Sequence, residues 1–402
     1  MQTIVTEATN IDAVVPPVRA PLRVAIVTGN FNYVRDGVAL TLNRAADYLA
    51  SKDVPVMVVA PTTANPAIEP RHPLVSVPSF PIPTRSEYRA ALGLSSKAKR
   101  ALLDFRPTII HVATPDILGK QAITFARKQG IPVLASYHTR YDAYAHYYWG
   151  MTPFRELWKR YTRDLYSGCD CVLAPSESMA SLLKEEGVSA PIHLWKRGVD
   201  KQRFTPANRD PEWRAERGIG ETDILITYVG RLVLEKNVLL LGEIFAQLRE
   251  RGLSFRTMIV GNGPLEDQMR NTLEDTLFTG FLTGEELARA YANSDIFLFP
   301  SESESFGNVT LEAMASGLPV VGANACGSNS LVQPGTTGFL AEEASTAGFV
   351  DHLSTLIEDP DLRKRMGEAG HNLSLSYDWS KAMGDLENYY RQTIKLAKSD
   401  PD

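Results

Sequence analysis

The stretch DIFLFPSESESFGNVTLEAMASGLPVVGAN, residues 295–324, reads as strand, loop, helix and strand in succession. DIFLFPS is an apolar run ending near Pro300, LEAMASG has helical spacing and stops at Gly317, and PVVGAN is apolar again. That order is the βαβ unit of a parallel sheet covered by helices. Gly307 and Asn308 stand where the helix begins, so free backbone N–H groups and the positive dipole end point past the strand's carboxyl end. Such a terminus receives anions. Glu304 precedes it in the loop and Glu312 sits about one turn inside, so both carboxylates are expected to face one cavity. A carboxylate accepts paired hydrogen bonds from neighbouring hydroxyls, as in the holding of a sugar or ribose. On spacing alone, Glu312 as a complement to the helix dipole and Glu304 as a solvated loop acid stand equally well.

The same alternation runs through the chain. Strands are expected at 23–29, 54–60, 74–79, 108–114, 132–138, 171–176 and 191–195, then at 224–230, 257–263, 276–280, 295–301 and 319–324, with helical patterns in most of the gaps. The fold class is therefore α/β, with two Rossmann-like, doubly wound parallel-sheet domains facing across a cleft. Their expected bounds are 22–202 and 223–375. The stretch 203–222, which opens RFTPANRDPEW, reads as a linker. Residues 1–21 read as a disordered tail, without the apolar segment of a secretory leader. From Ser345 on, only helices are expected, the last over 376–402 and packing back on the first domain. Ligands of such sheets bind at the carboxyl ends of the strands, which makes the cleft the place for chemistry.

Composition narrows the class. Of 402 residues, 44% are hydrophobic and 22% charged, as in globular proteins, and the length suits two domains. No window approaches the ~20 apolar residues of a membrane span. Cys169, Cys171 and Cys326 match neither a disulfide framework nor a zinc pattern, so a cytoplasmic location is expected. Residues 1–205 carry 25 Lys and Arg against 17 Asp and Glu, whereas the remainder carries 17 against 30. In that acidic half, YVGRLVLEKN (228–237) keeps Arg231 and Lys236 just past a strand. A guanidinium fork and an ammonium point charge at such a place suit a diphosphate; a pair of surface cations is the alternative.

These motifs together resemble the family 4 glycosyltransferases, retaining nucleotide-sugar enzymes of GT-B fold. The matching features are Glu304 and Glu312 in their ESFGNVTLEAMASGLPVV surround, VGRLVLEK, VGNGP (260–264), FTGFLTGEEL (278–287), SYHTR (136–140) and the strand-loop-helix opening at 23–51. Within the family, SYHTRYDAY and WKRGVD (195–200) are similar to GDP-mannose-dependent α-mannosyltransferases and to sulfoquinovosyl diacylglycerol synthases. The resemblance implies that Arg231 and Lys236 bind the donor diphosphate and that Glu304 holds donor-sugar hydroxyls. It implies that Phe306, Gly307, Asn308 and Val309 contact sugar or phosphate through the backbone, with Gly37 and Gly261 also at the donor. Glu312 would take the ribose, and the backbone at Phe281 and Leu282 the base. His138 would face the reacting sugar; taken alone, a histidine at a strand end is more often a structural one. The family often has two glycines after the first strand, where this chain has Asp36 and Gly37. CGSNSLV (326–332) lacks a glutamate that many relatives carry.

The implied reaction moves a hexose, mannose from GDP-mannose in the first instance, from a nucleoside diphosphate to a lipid or glycan hydroxyl, with no metal or other cofactor. A UDP-sugar-dependent glycolipid synthase is the alternative, and a GT-B epimerase or phosphorylase the more distant one. The only D-x-D triplet of the folded region, Asp359-Pro360-Asp361, reads as a turn and helix cap. Two basic stretches, 85–107 and FRELWKRYTR (154–163), are read as helical faces for an anionic membrane surface at the inner face of the cytoplasmic membrane, with a solvated face as the equal alternative. No nucleic-acid motif accompanies the charge.

Overall fold

The computed structural model describes residues 21–82, 85–138, 155–342 and 345–399. The reading of the first residues as a tail lies, but for Pro21, outside them, as do Thr139 and Arg140 of the SYHTR motif.

In the first domain, strands β1 (Val24–Val27), β2 (Val56–Pro61), β3 (Leu74–Val77), β6 (Ile109–Val112), β7 (Val133–Ser136), β8 (Cys171–Ala174) and β9 (Ile192–Leu194) form a parallel sheet in the order β3-β2-β1-β6-β7-β8-β9. β4 (Ser79–Ile82) and β5 (Arg85–Ala91) make a separate antiparallel hairpin. The central strands are apolar at every position because both faces are covered. Ala25 and Val27 of β1 enter one core with Met57 and Val59, while Val24 and Ile26 enter the opposite one with Val56 and Val58. The last helix, Trp379–Ser399, belongs to that second core: Met383, Leu386 and Tyr390 pack with Leu42, Leu49 and Trp195, and Trp195 Nε1 donates to the Ala382 carbonyl at 2.9 Å.

The second domain has strands β10 (Leu225–Val229), β11 (Arg256–Val260), β12 (Thr276–Gly280), β13 (Ile296–Phe299), β14 (Val320–Ala323) and β15 (Gly338–Ala341), parallel in the order β12-β11-β10-β13-β14-β15. In each sheet the strand order reverses once, between β1 and β6 and between β10 and β13. Those are the switch points at whose carboxyl ends ligands bind.

Two sequence readings need correction. The run 85–107 is not one helix: Arg85–Ala91 is a strand paired to Ser79–Ile82, Gly93 follows at φ +111°, and the helix starts only at Ser96, capped by Ser95 Oγ on the Ala98 N–H. Nor is 203–222 a free linker. Phe204, Trp213 and Ile219 are buried in the core of the second domain, and Arg214 ties the Asn293, Gly220 and Asp223 carbonyls together. Apolar residues spaced nine and six apart have no helical period, so only the packed chain reveals them as core. The triplet at 359 does act as a cap: Asp359 Oδ1 accepts from the Leu362 N–H at 2.8 Å, opening the helix Pro360–Ser374.

Candidate active site

The second-domain half of the cleft is built on the β10/β13 switch point. After β10 the chain turns at Gly230 and presents Arg231, then closes a short 3₁₀ turn, Leu234–Lys236, with Lys236 at its end. Gly261, at φ +136°, lies beneath that turn, and a Cβ on it would fall 1.9 Å from the Gly230 carbonyl oxygen. After β13, Ser303 Oγ donates to the Glu235 carbonyl at 2.8 Å, which ties the two loops together. Lys236 Nζ is ion-paired to Glu304, each side chain being about four-fifths buried. The helix Asn308–Ala315 then begins at Gly307, whose φ of +92° favours glycine. Gly307, at the N-cap, has no side chain to close the first turn, and Gly307, Asn308 and Val309 line the cleft.

Glu312 sits inside this helix, and one of its carboxylate oxygens accepts from Tyr291 Oη at 3.3 Å. Burial pushes its carboxyl up from near 4.5 to about 7, against the opposing pull of the Tyr291 hydrogen bond and of Arg44 and Arg203. A carboxylate held so close to neutrality can take hydroxyl donors in either charge state.

The first-domain half surrounds the β1/β6 switch point. Asp36 caps the helix Gly37–Ser51 through the Ala39 N–H at 2.9 Å, and its other oxygen accepts from Asn30 Nδ2 at 2.5 Å and Tyr88 Oη at 3.2 Å. A Cβ on Gly37 would lie 3.1 Å from Asn308 Nδ2, so the starts of the two helices nearly touch across the cleft. Asp116, pushed up to about 6 by burial, caps the helix Ile117–Lys128. The hairpin reaches over to the second domain. Arg85 pairs with the buried Glu235 at 2.7 Å, Glu87 pairs with Arg231, and Tyr88 lies between the guanidinium groups of Arg85 and Arg231 at 4.7 and 5.4 Å. Ser305, next to Glu304, is gripped at both ends: its hydroxyl donates to the His138 carbonyl at 2.5 Å, and its own carbonyl accepts from Ser176 Oγ at 3.1 Å.

His138 follows β7 and lines the cleft, but both its ring nitrogens are engaged within the protein. Nδ1 lies 3.2 Å from Arg197 Nη2 and Nε2 2.7 Å from Ser136 Oγ. It was expected to face the reacting sugar; the structure places it in the cleft lining, with its side-chain hydrogen bonds spent within the protein. Arg197 is itself 4% exposed and stacks on Trp195.

The cleft holds about 1950 Å³, room for a nucleotide sugar and part of an acceptor, against roughly 300–1,000 Å³ for an ordinary small-ligand pocket. Gly37, His138, Arg231, Lys236, Phe281, Leu282, Glu304, Phe306, Gly307, Asn308, Val309 and Glu312 all line it. Gly261 does not, and its place under the Gly230 turn makes it a support for Arg231. Asp36, Glu87, Tyr88, Asp116, Arg197 and Ser305 were missed in the sequence reading. Arg197, Ser305 and Asp36 carried a signal, since they lie within WKRGVD, ESFGNVTLEAMASGLPVV and the opening at 23–51; Glu87, Tyr88 and Asp116 stand in segments with no distinctive spacing.

The two halves match separate family models, Glycosyltransferase Family 4 over residues 35–203 and Glycosyl transferases group 1 over 209–373. The chain is 33% identical to a GDP-mannose-dependent alpha-mannosyltransferase of Mycolicibacterium smegmatis, over 93% of this chain and 98% of that one. It is 35% identical to a sulfoquinovosyl transferase of Arabidopsis thaliana over 77% of this chain, and spans 61% of that protein's length. Its fold superposes on a sucrose-phosphate synthase of Thermosynechococcus elongatus with a TM-score of 0.75 at 18% identity, covering 93% of this chain and all of that one.

Proposed function

The chain belongs to the family 4 glycosyltransferases of GT-B fold, and on that premise we propose that it moves a hexose from a nucleoside-diphosphate sugar to a lipid or glycan hydroxyl with retained configuration. The observation that carries this is the convergence at one switch point of Arg231, Lys236, the uncapped helix start at Gly307 and the two carboxylates Glu304 and Glu312. The diphosphate takes Arg231, Lys236 and the first helical N–H groups. Glu304, released by Lys236, accepts from sugar hydroxyls, Glu312 from the ribose, and the backbone at Phe281 and Leu282 meets the base. The bond from the anomeric carbon to the leaving phosphate oxygen breaks as the acceptor oxygen approaches on the same face. The acceptor's proton passes to that phosphate oxygen. The cations and amides offset the charge that grows on the diphosphate, so positioning and electrostatics supply the rate without a metal ion.

The donor is GDP-mannose, a reading supported by the likeness to the full length of the mannosyltransferase. A second reading, a UDP-linked sugar such as sulfoquinovose, glucuronate or glucose, draws on the 35% identity to the sulfoquinovosyl transferase. A thermal-shift panel of GDP-mannose, UDP-glucose, UDP-glucuronic acid and UDP-sulfoquinovose separates them, because a ligand that binds the folded state stabilises it by mass action. No shift with any of the four counts against the donor site.

For the acceptor we read a lipid and a peripheral, cytoplasmic attachment. The helix Arg155–Ser167 brings Trp158 and Tyr161 together at 5.4 Å, leaves Leu157 65% exposed, and sets Tyr161 under the Lys120 ammonium at 5.1 Å. With the exposed Ile117 these line the first-domain end of the cleft, and aromatic and basic groups so mixed suit an anionic bilayer. Among the described residues no helix is long and apolar enough to cross a membrane. Flotation with anionic against zwitterionic vesicles tests the attachment, and equal recovery with both counts against it.

A further inference from the structure

A chain of buried polar groups starts at the cleft and ends on the last helix. Arg197 Nη2 lies 3.2 Å from His138 Nδ1, His138 Nε2 2.7 Å from Ser136 Oγ, Ser136 Oγ 2.7 Å from His111 Nε2, and His111 Nδ1 2.7 Å from Tyr390 Oη. Ser136, His111 and Tyr390 are all 0% exposed. A guanidinium can only donate, so His138 Nδ1 accepts, and the neutral ring carries its proton on Nε2 and donates it to Ser136. Arg197 also donates to the Trp195 carbonyl at 2.8 Å, and no carboxylate among the described residues is ion-paired to it. The end of the chain nearest the cleft is coupled to Glu304, because the His138 carbonyl accepts from the hydroxyl of the neighbouring Ser305.

We propose that Arg197 is a positioning residue for sugar transfer: it fixes His138 in the Nε2–H form, and Ser136, His111 and Tyr390 hold that ring from behind, so that the His138 carbonyl seats Ser305 and thereby Glu304. Among the described residues, the charged and titratable groups facing the His138 ring are Arg197, from the segment after β9, and His111 from β6, with Trp195 edge-on at 6.0 Å. Burial first, and then Arg197 and His111, favour the neutral ring and hold its pKa well below the ordinary imidazole value. The final helix, far from the cleft in sequence, thus takes part in setting the geometry of the donor loop.

The inference rests on the donor-site reading for its consequence but not for its tautomer, and the experiment separates the two. In ¹⁵N-histidine-labelled wild-type protein without donor, long-range ¹⁵N–¹H spectra should show His138 with an unprotonated Nδ1 and no titration between pH 5.5 and about 7.5. An Nδ1–H ring, or titration near the ordinary value, overturns the proposal. In the assay, Arg197→Met should lower kcat about 10- to 100-fold with donor KM nearly unchanged, as loss of alignment does. It should also bring in an acid limb as His138 gains a proton. Arg197→Gln, which can still donate to Nδ1 without the charge, should recover most of kcat. Tyr390→Phe, tested in parallel, should fold and lose kcat to a smaller degree. Equal losses in the Gln and Met variants, or a loss confined to KM, overturn the positioning role. A correct tautomer with no kcat effect in any variant overturns the positioning role as well, whereas absence of hexose transfer by the wild type overturns the donor-site reading on which it rests.

Discussion

Glu87, on the hairpin of the first domain, is ion-paired to Arg231, the residue that follows β10 of the second. Against the effect of burial, the contact holds the hairpin carboxylate below its ordinary pKa, and it occupies the guanidinium proposed to take the diphosphate. On the proposed function a donor phosphate binds by exchange. Both partners are more than a third exposed, so their pairing is worth only ~0.5–1 kcal/mol. Glu87→Gln should tighten GDP or UDP binding about two- to fivefold, as that energy converts. Titration calorimetry at two salt concentrations checks it; unchanged or weaker binding would show that Glu87 does not compete.

In the proposed reaction Lys236 and Glu304, ion-paired in the structure, exchange partners in the same way, but there the loss is chemical. Lys236→Ala removes a charge from the leaving group and leaves Glu304 without its cation, so kcat should fall about 10²- to 10³-fold. Glu304→Gln should raise donor KM as well, since an amide accepts fewer sugar hydroxyls. Steady-state kinetics on both variants tests the assignment, and wild-type rates for Lys236→Ala would remove it.

Glu312 makes the stability depend on pH in a stated direction. Its carboxyl is raised on folding, from near 4.5 to about 7, so the folded protein holds a proton that the unfolded chain releases. The group favours folding as pH falls through this window and is least favourable above pH 7. Glu312→Gln, neutral throughout, should therefore raise Tm at pH 8 relative to wild type and leave it nearly unchanged at pH 4.5. It should also weaken nucleotide binding at pH 8. Thermal unfolding at the two values decides; an equal shift at both would mean that burial of the charge is not the cause.

Gly261 lies under the Gly230 turn that presents Arg231 and does not line the cleft. Gly261→Ala places a methyl 1.9 Å from the Gly230 carbonyl in a strained backbone region, a cost of at least ~1–3 kcal/mol. Gly218, also at positive φ but with nothing near its missing Cβ, is the control. Urea unfolding should show the larger loss for Gly261→Ala, and donor affinity should fall only there.

Activity should persist in excess chelator, because Arg231, Lys236 and the helix start offset the charge on the diphosphate. A strict Mg²⁺ or Mn²⁺ requirement for the chemical step contradicts this account.

The sequence carried whatever depends on local order. Apolar runs buried on both faces, such as Val24–Val27 and Ile296–Phe299, announce parallel strands wherever they stand. The order strand, loop, Gly307, helix places an anion site at a strand end from chemistry that is local in sequence. Arg231, Lys236, Glu304 and Glu312 were legible for that reason. What depends on distant segments meeting was not. The hairpin 79–91 passes for the start of a basic helix because its pairing and its contacts to Arg231 and Glu235 have no sequence period. Trp213, at the centre of an apparent linker, is core only because the second sheet lies beneath it. His138 read as a group aimed at the sugar, yet Arg197, 59 residues on, and Ser136 take both its nitrogens. Hydrogen bonds and ion pairs between remote residues are fixed by how the chain packs, and one-dimensional spacing holds no record of that.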